Sequence, residues 1–185
     1  MTPLDIYILD APILRQETTP LAEVTDAHRR LIDDMFETMY AARGIGLAAT
    51  QVGRIERICV VDVADERYAL VNPEVVVSGG EQTGEEGCLS IPEIYGDVTR
   101  AQHVVVRALD RAGAPIEIDA TDLLARCLQH EIDHLHGRLF IDYLSLVKRQ
   151  AAMKKWKKLR GKDKSLTRSI PPRDAAAHHD RDEEL

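Results

Sequence analysis

The stretch "QHEIDHLHG", from Gln129 to Gly137, constrains the fold more than any other part of the chain. It carries the pattern His-Glu-x-x-His at the end of a predicted helix. At about 3.6 residues per turn, His130 and His134 project from the same face of that helix. The face continues through Cys127 and Leu123, which are apolar, so we expect both histidines to point into the protein.

The two histidines of this pattern are spaced to hold one divalent metal ion. Glu131 lies near the same helical face, where its carboxylate could reach a water on the metal without being a ligand. The alternative is a pair of hydrogen-bonded core histidines beside a solvated glutamate, because so short a pattern also arises by chance. A catalytic centre requires a third ligand, whose identity separates the classes of metalloprotein.

The residues that follow argue against two families of zinc peptidases. Metzincins would need histidine at the position of Phe140, and thermolysin-like enzymes take a glutamate from a later helix. The sequence has no acidic residue between Asp142 and Asp163. Asp142 itself is one candidate for the third ligand, although it would have to reach back across Gly137.

A stronger candidate for the third ligand is Cys88, in "EGCLSIP" from Glu86 to Pro92. It lies in a predicted polar loop beside Gly87, whereas structural cysteines prefer regular elements such as those predicted to hold Cys59 and Cys127. A thiolate with two imidazoles leaves a fourth position open for water, which is typical of a catalytic site. An inert buried thiol is the alternative.

The composition indicates one soluble domain. The chain has 185 residues, 44% of them hydrophobic, which suffices for one core of common size. Its net charge of −7 gives no overall positive field, so we expect neither DNA nor a membrane as a partner. Three cysteines, an odd count, together with the lack of an apolar leader or long apolar span, predict a reduced, cytoplasmic protein.

Hydrophobic spacing predicts three helices with strands between the first two. The predicted helices cover about 25–42, 121–136 and 145–160. Gly44 stands where a left-handed cap of the first helix would be expected. Runs rich in β-branched residues predict strands at 57–64, 68–77, 103–110 and 115–120. This order indicates an α+β fold with an antiparallel component.

The composition changes after the third predicted helix. Beyond Gly161 the sequence has a proline pair, few large apolar residues and no periodicity. We therefore predict a single domain of 1–160 followed by a disordered tail of 161–185.

Three motifs together resemble those of the peptide deformylase family. They are "GIGLAATQ" at 44–51, "EGCLS" at 86–90 and "QHEIDH" at 129–134, in the order and at the separations usual in that family. The similarity extends from the first helix to about Leu146. It implies one catalytic domain in which antiparallel strands surround a central helix that carries the two histidines.

The resemblance implies a metal centre made by Cys88, His130 and His134, with Glu131 as general acid and base. The implied reaction removes the formyl group from the N-terminal formylmethionine of new proteins and releases formate. A divalent metal makes hydroxide available near neutral pH to attack the formyl carbon, and Glu131 can carry the proton to the departing amine. Glu86 is a candidate partner that orients a histidine or the cysteine loop, with a solvated glutamate as the alternative.

Further residues take substrate-binding roles by their position in the motifs. The side-chain amide of Gln51 and the backbone N–H of Leu89 are expected to donate to the formyl oxygen, and Gly46 to pair with the peptide. The apolar candidates for the methionine pocket are Ile45, Cys127 and Leu123. Arg100 is expected to pair with the peptide, whereas the role of Arg126 stays open.

The ligand set leaves the metal and the class of protein open. One cysteine and two histidines would suit zinc, whereas the resemblance implies ferrous iron (Fe2+), which Zn2+, Ni2+ or Co2+ can replace. One rival interpretation is a metallopeptidase that cuts internal peptide bonds. Another is a zinc-stabilised binding module, which would need neither Glu131 nor Gln51.

The third predicted helix concentrates positive charge in an acidic chain. The range 145–162 has no acidic residue, and its basic residues are Lys148, Arg149, Lys154, Lys155, Lys157, Lys158, Arg160 and Lys162. The apolar residues predicted to rest on the body are Leu146, Val147, Met153, Trp156 and Leu159. The exposed basic side could hold the enzyme near ribosomal RNA, where formylated chains emerge. A basic face that serves only solubility is the alternative.

Overall fold

The computed structural model describes residues 3–172, which form three α-helices and three sheets. The helices are α1 (Asp26–Ala41), α2 (Asp122–Leu135) and α3 (Leu146–Arg160). The strands are β1 (Ile6–Tyr7), β2 (Gly46–Ala48), β3 (Ile58–Val63), β4 (Glu66–Gly79), β5 (Gln82–Glu86), β6 (Gly96–Arg100), β7 (His103–Leu109), β8 (Pro115–Thr121) and β9 (Thr167–Arg168). The predicted α+β fold is confirmed.

The largest sheet is antiparallel, with the strand order β2-β3-β4-β7-β8. Two smaller antiparallel sheets pair β5 with β6 and β1 with β9. Alternate side chains of β3 point to opposite faces, so that Cys59 and Val61 pack with α2 while Ile58 and Val60 pack with α1. The helix with the His-Glu-x-x-His pattern is therefore buried at the centre, as predicted.

Helix α1 buries one apolar face at helical spacing, which carries Leu31, Ile32, Met35, Phe36 and Met39. It begins after Thr25, whose backbone N–H donates to Nδ1 of His28. The left-handed residue beyond its end is Arg43 (φ 61°), so the cap predicted at Gly44 is wrong. Position 44 needs glycine for a different reason, because a Cβ there would lie 2.6 Å from Cδ1 of Leu89.

Helix α2 buries both apolar and polar side chains. Its buried apolar residues are Leu124, Ala125, Cys127, Leu128, Ile132 and Leu135. Leu123 is 42% exposed, so the buried part of the histidine face ends at Cys127. Gly137 follows the end of the helix with a φ of 69°, in the left-handed region that favours glycine. A Cβ at that position would also lie 2.5 Å from the backbone oxygen of Arg15.

Helix α3 rests on the body through fewer apolar residues than predicted. Trp156 is 3% exposed, whereas Leu146 and Val147 are 72% and 76% exposed. The first turn is held by polar contacts instead, since Nζ of Lys148 lies 2.9 Å from Oδ2 of Asp97. The predicted apolar face is therefore confirmed for Trp156 and for Met153, which packs beside it, and wrong for Leu146, Val147 and Leu159, which is 46% exposed.

The chain returns to the body after α3, where a disordered tail was predicted. Strand β9 pairs with β1, and the backbone N–H of Ile8 donates to the oxygen of Leu166 at 2.9 Å. Ile170 is buried. The predicted tail is thus wrong for 161–172, and its remainder, 173–185, lies outside the described residues. Within residues 3–172, no helix has the length and apolar character needed to cross a bilayer.

Candidate metal centre

The three predicted metal ligands lie together in the interior. Cys88 follows the end of β5, while His130 and His134 lie on successive turns of α2. Their ligand atoms all lie within 4.8 Å of one another. Sγ of Cys88 is 3.2 Å from Nε2 of His134. All three side chains are buried.

Both histidine rings are prepared to donate a lone pair. Nδ1 of His130 lies 3.0 Å from Oε2 of Glu86, so the Nδ1–H donates to the carboxylate and Nε2 is left as the ligand atom. Nε2 of His130 is buried and has no hydrogen-bond partner among residues 3–172. Burial lowers the pKa of His134 well below its ordinary value, which keeps that ring neutral. A cation between the rings would satisfy the orphaned nitrogen.

Glu86 is held by two arginines. Arg100 donates from Nε to Oε1 at 2.6 Å and from Nη2 to Oε2 at 3.0 Å, and Nη1 of Arg126 donates to Oε1 at 2.8 Å. Burial alone would raise the pKa of Glu86, but the hydrogen bonds from His130 and Arg100 outweigh it and lower the pKa to about 2. Glu86 is therefore a carboxylate at neutral pH, able to orient His130.

The peptide-binding role predicted for Arg100 is corrected by these contacts. Its Nη1 also donates to Oδ2 of Asp133 at 2.7 Å, and its guanidinium lies 4.9 Å from the ring centre of Tyr143. The side chain is 4% exposed. A guanidinium bound by two carboxylates of the protein supports the metal centre from behind, because it fixes the partner of a ligand histidine.

Glu131 is buried beside the ligands and is not one of them. Burial raises its pKa well above the ordinary value, and its Oε2 has no hydrogen-bond partner among residues 3–172. Its Oε1 lies against Gly46, where a Cβ would clash with it. Glycine at position 46 therefore leaves room for this carboxylate between β2 and α2.

The amide of Gln51 points toward the ligand loop. Its Oε1 accepts a hydrogen bond from the backbone N–H of Ala48 at 2.8 Å, which fixes the orientation of the amide. Nε2 then lies 3.1 Å from Oγ of Ser90 and 3.5 Å from Sγ of Cys88. Leu89, next to Cys88, is buried with its side chain in the α1 core. The structure thus places both predicted formyl-oxygen donors next to the ligand cysteine.

The residues predicted for the methionine pocket differ in their burial. Ile45 and Cys127 are buried between the large sheet and α2, and the Cys127 thiol donates to the backbone oxygen of Ile45 at 3.6 Å. Leu123 lies two helical turns before His130 and is exposed. Burial raises the pKa of Cys127 well above its ordinary value, so this thiol is unreactive.

Asp142, the other candidate for a third ligand, is engaged elsewhere. Its Oδ2 lies 2.5 Å from Nη1 of Arg15 and accepts from the backbone N–H of Leu139 at 2.9 Å. It does not belong to the cluster formed by Cys88 and the two histidines in the described part of the chain.

The donor set fits a catalytic metal ion. Burial raises the pKa of the Cys88 thiol to about 12, so a nearby cation is required to hold it as a thiolate. One sulfur and two neutral imidazoles are typical ligands of a tetrahedral centre with one position open.

Comparison with known proteins agrees with this geometry. The sequence matches the family model for polypeptide deformylase over residues 3–150. The chain belongs to the polypeptide deformylase family. It is 53% identical over 163 residues to the peptide deformylase of Alkalilimnicola ehrlichii, covering 86% of this chain and 92% of that relative. The peptide deformylase of Hydrogenovibrio crunogenus is 52% identical over 161 residues, or 85% of this chain and 95% of the relative.

Solved deformylase structures share the fold. The peptide deformylase of Legionella pneumophila has a TM-score of 0.82 and 48% identity, covering 85% of this chain and 95% of its own. The deformylase of Ehrlichia chaffeensis in complex with actinonin has a TM-score of 0.83 and 39% identity, covering 89% of this chain and all of its own. The resemblance recognised from three motifs therefore holds over most of the chain.

Two parts of this deformylase site were missed by the sequence analysis. The pairing of Arg100 with Glu86 joins β6 to the residue before the ligand loop, and no local pattern indicates it. Arg126 gave a usable signal, because it stands four residues before His130 and so lies on the same helical face. An arginine there is buried only if it has partners.

Proposed function

We propose that this chain removes the formyl group from the N-terminal formylmethionine of newly made proteins. In the reaction, water adds to the formyl carbon, the C–N bond breaks, and formate and a free amine are released. The observation that carries the proposal is the buried cluster of Cys88, His130 and His134 with the carboxylate of Glu131 beside it. Family membership supplies the substrate class.

Cys88, His130 and His134 would hold one divalent metal ion. We propose Fe2+ as the native ion, with Zn2+, Ni2+ or Co2+ as replacements, because imidazole and thiolate donors suit all four. When bound, such an ion acts as a Lewis acid and makes water acidic enough to ionise at about pH 7.

Glu131 would carry the proton of the reaction. Its buried carboxylate can accept a proton from the attacking water, since Oε2 has no competing partner among residues 3–172. Once protonated, Glu131 can donate the proton to the departing amine, and burial of the carboxylate, which raises its pKa, favours the protonated form. Gly46 keeps this carboxylate close to the strand where the substrate would lie.

Gln51 and Leu89 would stabilise the charge that develops on the formyl oxygen. Nε2 of Gln51 is aimed at the ligand loop by its bond through Oε1 to Ala48. The backbone N–H of Leu89 is the second proposed donor. Donors that are fixed before the reaction stabilise the transition state without reorganisation.

The peptide would add to the edge of β2 that has no strand partner among residues 3–172. This strand lies at one end of the five-stranded sheet, so backbone groups of Gly46 face outward from the ladder. We propose that the methionine side chain lies near Ile45 and Cys127, with Leu123 at the outer end of the pocket. The exposure of Leu123 is compatible with a position at a pocket mouth.

Two rival functions have less support. A metallopeptidase of the thermolysin class would take a carboxylate as third ligand, whereas the cluster here contains a cysteine. A structural zinc module would not require a buried Glu131 whose Oε2 has no hydrogen-bond partner in the described part of the chain.

Formate release tests the proposed function directly. Anaerobically purified protein, with its metal content measured, is given formyl-Met-Ala-Ser and, as a control, Met-Ala-Ser. We expect formate from the first peptide and no cleavage of the second. Cleavage of internal bonds in either peptide would instead identify a metallopeptidase, and metal binding without hydrolysis would identify a binding module.

We also propose a cytoplasmic protein that docks on the ribosome through the basic helix α3. The lysines at positions 154, 155, 157 and 158 of α3 are exposed, whereas Trp156 between them is buried. Leu146 and Val147, at the start of the helix, are also exposed and would lie next to the basic residues in the docking surface. Docking would raise the local concentration of formylated chains.

A further inference from the structure

Arg126 is buried in α2 one turn before His130, and neither the proposed chemistry nor substrate binding uses it. We propose that Arg126 is a positioning residue: it clamps the β5–β6 hairpin onto α2 and so holds Cys88 opposite the two histidines. The inference rests on the proposed metal site and assigns a function to a side chain outside it.

The contacts of Arg126 reach both strands of the hairpin. Nη2 donates to the backbone oxygen of Gln82 on β5 at 3.1 Å, and Nη1 donates to the backbone oxygen of Val98 on β6 at 3.0 Å. A longer contact of 3.4 Å joins Nη1 to the oxygen of Gly84. The hairpin is a sheet of only two strands within residues 3–172, and such a ribbon is marginal without outside support.

The hairpin controls where Cys88 stands. Strand β5 ends at Glu86, two residues before the cysteine. Any movement of β5 relative to α2 would therefore change the distance between the sulfur and the histidine nitrogens. Arg126 resists that movement because its backbone is in the ligand helix and its guanidinium is bonded to the ligand hairpin.

Arg126 also bonds to the carboxylate that orients His130. Its Nη1 lies 2.8 Å from Oε1 of Glu86, while Oε2 of Glu86 lies 3.0 Å from Nδ1 of His130. One guanidinium thus fixes the hairpin carbonyls and the Glu86 carboxylate together. This combination requires the planar fork of arginine, which a single ammonium group cannot reproduce.

Arg126 and Arg100 both connect the β5–β6 hairpin to α2, one from the helix and the other from the hairpin. Arg100 projects from β6 to Asp133 on α2, whereas Arg126 projects from α2 to the carbonyls of β5 and β6. Both bond to Glu86. The hairpin and the ligand helix are therefore linked twice around one buried carboxylate.

The test compares Arg126→Met with Arg107→Met as a matched control. Arg107 lies on β7, is exposed and pairs with exposed Glu117, so its loss removes the same charge away from the site. We expect Arg126→Met to bind Zn2+ about 10- to 100-fold more weakly in chelator competition, as is usual when a contact behind a ligand is lost. The control should match the parent.

Two further readouts separate positioning from general stability. In Co2+-loaded protein, we expect the thiolate-to-metal charge-transfer band to weaken or shift in Arg126→Met. The rise in Tm on adding Zn2+ should shrink as well, because weaker binding to the native state stabilises it less. Arg126→Lys should lie between parent and Met variant in all three measurements.

The inference is overturned if Arg126→Met keeps the parent's Zn2+ affinity and Co2+ spectrum, or lowers the Tm of apo and metal-loaded protein by the same amount. If the Met variant does not fold, the Lys variant decides by the same criteria. Failure of the parent to bind Zn2+ would instead remove the proposed metal site, a result that is distinguishable because it does not depend on the variants.

Discussion

The carboxylate of Glu131 is the side chain on which the proposed chemistry depends most directly. We expect Glu131→Ala to retain metal and fold but to lose about 10²- to 10⁴-fold in kcat for formyl-Met-Ala-Ser, since a general acid and base contributes roughly that much. Metal content and circular dichroism of the same sample provide the control. Near-normal turnover by the metal-loaded variant would exclude Glu131 as the proton carrier.

Cys88 should determine whether the metal stays bound. In Cys88→Ser we expect Zn2+ affinity to fall by at least about 100-fold, because a hydroxyl is a poorer donor than a thiolate and loss of an outer contact alone can cost that much. Chelator competition measures the change. The outcome that contradicts this assignment is a serine variant with full metal and full rate. Asp142 would not then be the obvious substitute, since Arg15 already holds it.

Glu86 should shape the acid stability of the metal-free protein. Its pKa is lowered on folding, to about 2, so its stabilisation is complete above its ordinary value of 4.5 and is lost as the pH falls toward 2. In Glu86→Gln we expect a free energy of unfolding lower by about 3 kcal/mol or more at neutral pH. The dependence on pH between 4.5 and 2 should be shallower.

Urea unfolding at a series of pH values measures both effects of Glu86→Gln. Exposed Glu117, which pairs with Arg107, supplies the control Glu117→Gln. The opposite result would be a free energy of unfolding that depends on pH below 4.5 in the same way for Glu86→Gln and the parent. It would mean that the contacts with Arg100 and His130 do not keep the Glu86 carboxylate ionised.

At the scale of single residues, the sequence predicted the three metal ligands, but it did not predict the contacts that support them. His130 and His134 follow from helical periodicity, and Cys88 follows from its loop context. Arg100 was assigned to the peptide because its partners come from distant parts of the chain, at positions 86 and 133. Pairing across such separations leaves no periodic pattern to read.

Among the elements, α3 carries the prediction that concerns a partner. We expect Lys154, Lys157 and Lys158 changed together to Gln to reduce co-sedimentation with ribosomes. Lys155 is left intact because its Nζ donates to the backbone oxygen of Glu93. If all three lysines contact phosphate, the log–log slope of affinity against salt should fall by about 2 to 3.

The control for the lysine variant removes the same charge elsewhere on the surface. Its substitutions to Gln are at Arg30, Arg107 and Arg111, which are exposed. Both variants should release formate from a free formyl-peptide at the parent rate. Equal ribosome binding by the lysine variant and the parent at low salt would reject docking through α3.

Strong periodicity decided which elements could be predicted. Helices α1 and α2 were predicted because apolar residues recur every three or four positions. Strands β5 and β6 were missed because their residues are largely polar and their support comes from Arg126 on a distant helix. Strand β9 was missed because two paired residues are too few for an alternating pattern.

For the whole molecule, we expect the segment after α3, which pairs with β1 and buries Ile170, to stabilise the fold. We expect Ile170→Ala to lower the free energy of unfolding by about 2 to 5 kcal/mol, the usual cost of truncating a buried isoleucine. Ile55→Ala is the control, because Ile55 is 48% exposed and should change stability by about 0.5 kcal/mol at most. Similar urea midpoints for the two variants would show that burial of Ile170, in the segment after α3, does not stabilise the protein.

The pairing of β1 with β9 has a consequence for the order of synthesis. Strand β1 is the first of the described strands to leave the ribosome, and its partner is the last. All three proposed ligands precede β9 in the sequence. A chain shortened to end after α3 would therefore keep all three ligands, while its N-terminal segment lacked the strand partner of β1 and was open to proteases. In the nascent protein, this segment gains its strand partner only once β9 has left the ribosome.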